Sequence, residues 1–272
     1  MMGGTVRFRT FHIESHLWKT SAFEVVELFR QMALDRGLQE TSCHDADVFV
    51  AIGGDGTFLR TAQMAFMFNK PFWSLGTGRL NFLPNNVPDI QKAMTDFFEG
   101  KLEVEELPVY RWLLGEKSDT SRSGFFINDL VVAKPGYDTT ITLKVLVDGM
   151  DVMYAVGDGV IVSTPLGSTA YNLSAGGPVM DRAVKGFCVT PLNPHQTNLR
   201  PLIVPEEREI GVQVIEAYKG AVAVADGSTS CQLPVAKRIR IWSSGEVVEH
   251  LVNCDAMSFY ERIIKKFGWL GS

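Results

Sequence analysis

The sequence predicts an α/β N-terminal domain built on an open parallel sheet, followed by a β-rich C-terminal domain. Two observations predict it. Through residue 99, apolar strand-like runs alternate with helix-period segments, and glycine turns mark their junctions. After Gly100 the helical period stops, and runs rich in Val, Ile and Leu follow one another between Gly, Pro and Asp. The first domain is accordingly expected at residues 1–99 and the second at 100–248, with 249–272 returning to the first.

In order, residues 5–11 read as a strand. Residues 21–36 read as a helix that places Phe23, Val26, Phe29 and Leu34 on one stripe and stops at Gly37. An apolar strand at 48–52 runs into Gly53-Gly54-Asp55-Gly56-Thr57, and 57–68 is the helix after it. Behind Pro71 a third strand, 72–75, meets a second turn, Gly76-Thr77-Gly78, and 89–98 form a short amphipathic helix. The second domain shows strands at 112–114, 125–132, 140–147 and 160–163, broken at Lys134-Pro135-Gly136 and Asp148-Gly149. Residues 257–270 read as a closing helix.

Composition then narrows function. A chain of 272 residues, 46% hydrophobic and 21% charged, can bury a core in one large domain or two ordinary ones. A net charge of −5 offers no basic field for nucleic acid, and Lys237, Arg238 and Arg240 read as a solvated strand face. No charged leader with an apolar core opens the sequence, and no apolar run approaches the roughly 18–20 residues of a membrane span, so no membrane partner is expected. Cys43, Cys188, Cys231 and Cys254 stand far apart without zinc spacing, and isolated thiols fit a cytoplasmic protein. The five histidines show no ligand spacing, and no Gly-x-Ser-x-Gly elbow is present, which argues against His-based metal enzymes and serine hydrolases.

Three features carry chemistry. The turn Gly53-Gly54-Asp55-Gly56-Thr57 ends a strand and opens a helix, where ligands of open α/β sheets bind. Its glycines admit positive φ and let backbone N–H groups approach a phosphate, and the helix N-terminus adds partial positive charge. Asp55 either serves phosphoryl transfer there or caps the helix. Residues 157–178 are rich in small polar groups: Ser168, Thr169, Tyr171, Asn172 and Ser174 suit recognition of sugar hydroxyls or a purine edge, the structural alternative being that Ser168 caps a short helix. Asn128-Asp129 is either an Asx turn or a ligand-facing amide and carboxylate; Asp226-Gly227 reads as a hairpin turn, and Phe82 as core or as a base-stacking ring.

Together these residues resemble the NAD kinase family. Its Gly-Gly-Asp-Gly turn matches Gly53–Gly56, and its long Gly-Asp-Gly … Thr-Pro-x-Gly-Ser-Thr-Ala-Tyr … Ser-x-Gly-Gly-Pro block matches residues 157–178. Thr77-Gly78-Arg79-Leu80 and Thr190-Pro191-Leu192-Asn193-Pro194-His195 match secondary stretches. The resemblance implies transfer of the terminal phosphate of ATP, with polyphosphate as an alternative donor, to the adenosine ribose 2′-hydroxyl of NAD. Asp55 would be the base; Gly53, Gly54, Gly56 and Thr57 would hold ATP phosphates, with Mg²⁺ accompanying ATP. Asn128 and Asp129 would contact NAD, Thr169, Ala170 and Tyr171 would line adenine with Ser174 nearby, and Phe82 is a minor candidate. The resemblance also implies NAD bound at the domain junction and subunits paired through the second domain, as a homodimer or homotetramer. Asp158 would reach the nicotinamide end across the subunit interface. Three positions depart from the family: Asp129 stands for Glu, keeping the charge with a shorter reach; Leu166 stands for Thr or Ser; Asn81 stands for Gly. A lipid or sugar kinase sharing the glycine turn, or a non-catalytic NAD sensor, are the rival readings.

Overall fold

The computed structural model describes residues 8–15, 20–78, 81–115, 122–136 and 140–270. Residues 5–7 of the expected first strand, and Arg79 and Leu80 beside the second glycine turn, lie outside these. The described first strand, β1, is Thr10–Ser15. It is followed by α1 (Thr20–Leu34), β2 (Gln39–Glu40), β3 (Val48–Gly53), α2 (Asp55–Phe68), β4 (Phe72–Gly76) and α3 (Ile90–Glu99). Then come β5 (Leu102–Leu114), β6 (Ser123–Phe126), β7 (Asp129–Ala133), β8 (Ile141–Val147), β9 (Met150–Gly157) and β10 (Gly159–Ser163). A 3-10 turn (Leu166–Thr169) and the one-turn α4 (Tyr171–Ser174) precede β11 (Gly186–Leu192), β12 (Leu202–Pro205), β13 (Ile210–Ala217), β14 (Ala221–Ala225) and β15 (Thr229–Leu233). The long β16 (Arg238–Asn253) and α5 (Phe259–Phe267) close the chain.

The chain forms two compact units, residues 1–107 with 247–272, and residues 108–246. In the first, β2, β1, β3 and β4 run parallel in that order, with β3 paired to β4 from Phe49↔Phe72 to Gly53↔Gly76. The end of β16 adds a further parallel pairing, His250↔Phe72. Every residue of β3 is buried, as expected of a central parallel strand covered on both faces. Trp73 Nε1 donates to Asn253 Oδ1 at 2.9 Å, and Asn253 Nδ2 donates to Ala93 O, tying β4, β16 and α3 together.

The α1 stripe differs from expectation. Val26 and Phe29 are fully buried, but Phe23 and Leu34 are 50% and 69% exposed; the small residues Ala22 and Ala33 take the inner face instead. Phe29 fills the space they leave, with ring centroids 5.3 Å from Phe11, 5.7 Å from Trp73 and 5.5 Å from Phe97. Periodicity finds a helix's apolar positions, but a large neighbour across the interface decides which of them fit inside.

In the second unit, β12-β11-β10-β7-β14-β15 form an antiparallel sheet. A second antiparallel group joins β13 to the start of β16, to β8, and through β8 to β9. Inward residues of both, among them Leu130, Val132, Val160, Val162, Leu143, Val145 and Val212, make one core. Ile161, alternating outward on β10, packs with Val131, Leu192 and Ala175, so the 166–177 segment covers the opposite face. The expected strand 125–132 is in fact two, β6 and β7, interrupted at Ile127-Asn128.

As expected, α5 belongs to the first unit. It opens on a capping box, in which Ser258 Oγ accepts from Glu261 N and Glu261 Oε2 from Ser258 N. No helix among the described residues is long and apolar enough to cross a membrane. Phe29→Ala should destabilise the protein by about 3–5 kcal/mol, whereas Phe23→Ala should change it by less than about 0.5 kcal/mol. Urea unfolding followed by tryptophan fluorescence separates the two; equal costs would refute the buried stripe described here.

Candidate active site

The helix after the glycine turn begins at Asp55, two residues before its expected start. Its N-cap is Gly54, which has no side chain to cap with. The capping role weighed for Asp55 is therefore not the one it plays: Asp55 Oδ1 accepts the backbone N–H groups of Phe82 and Leu83, at 2.8 and 2.9 Å. Nor do these glycines use positive φ, since none of Gly53, Gly54 and Gly56 has it. They are needed for space: a Cβ on Gly53 would lie 2.5 Å from Thr57 Oγ1, so glycine lets the first helical turn fold back against the strand end. Thr57 is itself buried, its hydroxyl turned toward Gly53.

A cleft of about 340 Å³ opens at this turn, lined by Gly53, Gly54, Asp55, Gly56, Thr57, Thr77, Gly78, Ala22, Arg60 and Asn81. Five of these, Ala22, Arg60, Thr77, Gly78 and Asn81, were not foreseen as site residues. Arg60 follows Gly56 by four positions, one helical turn, and that spacing is the signal that could have found it. Asn81 was noted only as a departure; it is 8% exposed, and its buried Nδ2 has no hydrogen-bond partner among the described residues. A buried amide donor left unpaired beside a cleft calls for an acceptor from a ligand. Phe82, by contrast, is buried, with its ring 5.5 Å from that of Phe267 and Lys266 Nζ 4.2 Å from its centroid. That is packing, the alternative weighed for it.

In the second unit, the Ile127-Asn128 break is held by Asp226. Its carboxylate accepts the N–H groups of Ile127 (2.8 Å), Asn128 (2.7 Å) and Asp129 (3.1 Å). The hairpin reading of Asp226-Gly227 also holds, with φ of 48° and 68° between β14 and β15. The Asn128 break meets the 164–167 turn: Thr164 N donates to Asn128 O, Thr164 Oγ1 to Ile127 O, and Gly167 N to Thr164 Oγ1. A Cβ on Gly167 would overlap the Asn128 backbone, so only glycine allows the two segments to touch. Asn128 is 7% exposed and its Oδ1 is buried without a partner among the described residues, an acceptor awaiting a donor.

The polar block divides in two. Ser168 and Asn172 are fully buried and satisfied internally, contrary to the reading that offered them to a ligand. Ser168 Oγ donates to Pro165 O and accepts from Met180 N, rather than capping a helix. Asn172 Nδ2 donates to Ser168 O and Pro178 O, and its Oδ1 accepts from Thr190 Oγ1 at 2.6 Å. Thr169, Ala170, Tyr171 and Ser174 stay partly or fully exposed, and Leu166 is buried. Asp158 lies elsewhere. β10 pairs with β7 from Gly159↔Ala133 to Ser163↔Asp129, which puts Asp158 at the opposite strand end from Asp129, about 15 Å along. Asn193 Nδ2, at 2.8 Å, and Lys134 Nζ, 2.7 Å away, hold its carboxyl below the usual range.

His250 lies between Ser74 Oγ (2.7 Å) and Glu105 Oε2 (3.1 Å). Ser74 is fully buried, however, and its oxygen also accepts from Asn85 N, so this line braces β4 and β16 instead of meeting substrate. Among the described residues no group of three or more His, Cys, Asp or Glu could hold a metal.

Asp129 changes one expectation. Burial, and then the neighbouring charge of Asp226, push its carboxyl up to about 7, so the charge said to be kept is partly lost near neutrality. Asp226 already accepts three N–H groups, so the like-charge repulsion falls on Asp129. Because the folded value lies above the unfolded 3.8, the fold binds the proton more tightly, and stability falls as pH rises through about 4 to 7. Asp129→Asn should therefore melt several degrees above the parent at pH 8 and level with it at pH 4. Calorimetry at the two pH values checks this; a pH-independent difference would contradict it.

Comparison with known proteins agrees with this geometry. The chain matches the ATP-NAD kinase N-terminal domain over residues 9–102 and the ATP-NAD kinase C-terminal domain over residues 127–253. It is 32% identical to an NAD kinase of Aquifex aeolicus across 83% of this chain and 82% of that one. With an NAD kinase of Cupriavidus pinatubonensis it shares 31% identity across 97% of this chain and 90% of that one. Among solved structures, an NAD kinase from Archaeoglobus fulgidus in complex with ATP superposes with a TM-score of 0.73 at 25% identity, covering 95% of this chain and 97% of that one. Yeast NADH kinase complexed with NADH shares the fold, with a TM-score of 0.82 at 20% identity over 98% of this chain and 89% of that one. With both domain models matched in order and relatives above 30% identity matched over 82% and 90% of their length, the chain belongs to the NAD kinase family.

Proposed function

We propose that the chain converts NAD to NADP with ATP, and that Asp55 is the proton acceptor of the transfer. The observation that carries the role of Asp55 is that both its hydrogen bonds fall on one oxygen, Oδ1, and anchor it to the Phe82 and Leu83 amides. Among the described residues its second oxygen has no partner in the chain and remains available to a substrate hydroxyl. In the reaction the 2′-oxygen of the adenosine ribose attacks the terminal phosphorus in line, the bond to the ADP oxygen breaks, and the 2′-proton passes to Asp55. A carboxylate is far too weak a base to strip a sugar hydroxyl beforehand. A loose phosphoryl-transfer transition state asks for the proton only late, so Asp55 orients the hydroxyl first and accepts afterwards.

The N–H groups at Gly54 and Gly56, the start of α2, and Arg60 suit the polyphosphate of ATP, while the Thr57 N–H is taken by Gly54 O. Among the described residues Asp55 is the only carboxylate lining the cleft, a donor set that fits a divalent cation carried on the phosphates more than one caged by protein. Mg²⁺ so bound would neutralise phosphate charge. Asn128 Oδ1 supplies an acceptor for NAD and the protonated fraction of Asp129 a donor, while the partly or fully exposed Thr169, Ala170, Tyr171 and Ser174 line its adenine. Asp158, remote from Asn128 along its own sheet, serves the nicotinamide end in a neighbouring copy of a homo-oligomer.

A non-catalytic sensor is motivated by the Asp129, Leu166 and Asn81 departures, but none of the three alters Asp55. Asp55→Asn should lower kcat by about 10²–10⁴ while NAD still binds. Detecting NADP with a coupled dehydrogenase tests this, and near-normal turnover would remove Asp55 from the chemistry. Asn81→Gly, which deletes the unpaired donor, should raise the KM of its ligand, ATP or NAD, roughly 2- to 10-fold. Unchanged KM for both would leave the orphaned amide without a ligand.

A further inference from the structure

Phe82 and Leu83 are gripped from two sides. Asp55 Oδ1 takes their N–H groups. From α5, Arg262 Nη1 donates to the carbonyl oxygens of both, reaching Leu83 O at 3.2 Å. The single peptide unit joining Phe82 to Leu83 thus carries the Asp55 carboxylate at its N–H and the Arg262 guanidinium at its C=O. In a trans peptide these two groups point opposite ways, so the two charges flank it. The carboxylate draws the amide proton and the guanidinium draws the carbonyl electrons; each polarises the peptide in the sense that strengthens the other's bond.

We propose that Arg262 is a positioning residue for phosphoryl transfer, fixing the Asp55 carboxylate through this shared peptide. The proposal rests on the reading of Asp55 as proton acceptor. Three observations support it. Arg262 is 4% exposed, a costly place for a guanidinium, and an apolar side chain would fill the space with less desolvation. What only a planar group with several donors supplies is simultaneous reach to Phe82, Leu83 and Met257, whose carbonyl accepts from Arg262 Nε at 2.8 Å. The helix presenting it is also fastened to the same segment by Phe267 and Lys266 on the Phe82 ring.

The consequence is that the orientation of Asp55 is set from the far end of the sequence. Removing Arg262 frees the 82–83 peptide to turn, and with it the carboxylate, while the Gly54 and Gly56 N–H groups and Asn128 stay in place. Turnover should therefore suffer and substrate affinity should not.

The test is a double-mutant cycle on the full chain with NAD and Mg-ATP, at temperatures well below each variant's melting midpoint. Arg262→Lys keeps the charge but lacks the planar fork. It should lower kcat roughly 10- to 100-fold, the scale of a small misplacement of a reacting group, with KM for NAD and ATP changed less than about threefold. In an Asp55→Asn background the same substitution should cost almost nothing further, because its target is already gone. A purely structural role predicts something else: a loss that tracks the folded fraction and recurs in full in both backgrounds. That result, or a kcat within about twofold of the parent, overturns the proposal. Should the lysine variant not fold, Arg262→Gln is put through the same cycle and read by the same criteria. Near-parental turnover of Asp55→Asn alone would instead defeat the reading of Asp55, and the proposal with it, before Arg262 is touched.

Discussion

A carboxylate that collects backbone N–H groups is the interaction from which both units take their working geometry. Asp55 gathers the amides of Phe82 and Leu83; Asp226 gathers those of Ile127, Asn128 and Asp129. In each case the chain has left a strand and its amides have lost their ladder partners. Amides in that position must be satisfied, and an ionised acceptor does so more strongly than a neutral one. A loop so held is as rigid as the sheet it leaves, and it is on these loops that the unpaired groups of the site are displayed.

The same device sets the local electrostatics. Asp226 takes three N–H groups, and its buried neighbour Asp129 is the carboxyl pushed up, by burial first and by the charge of Asp226 second. In the first unit the carboxylate is balanced more remotely, through a peptide whose other end meets Arg262. The exchange of Glu for Asp at position 129 thus has an effect beyond length, because the shorter acid stays within the buried strand and beside Asp226.

Several site features were legible residue by residue, and others were not. The glycine turn, the strand before it and the helix after it follow from local pattern, since apolar period and glycine spacing act over a few residues. The partition of the polar block does not. Ser168 and Asn172 look as available in sequence as Thr169 and Tyr171, yet the former are consumed by Met180, Pro178 and Thr190, which lie up to eighteen positions away. Asp55 was likewise ambiguous between capping and chemistry, because its real partners are 27 and 28 residues along the chain. Arg262 carried no signal at all, since nothing in a basic residue on an amphipathic helix says which carbonyls it will find.

What the sequence by itself determined is therefore what short-range physics writes into it: the strand–turn–helix that suits phosphate, the change from α/β to β-rich character after Gly100, and a motif order specific to one family. What only the tertiary structure decided is which polar groups are spent inside the fold and which remain for ligands. The reason is that a hydrogen-bonding side chain is defined by its partners, and in a folded chain most of those partners come from distant sequence.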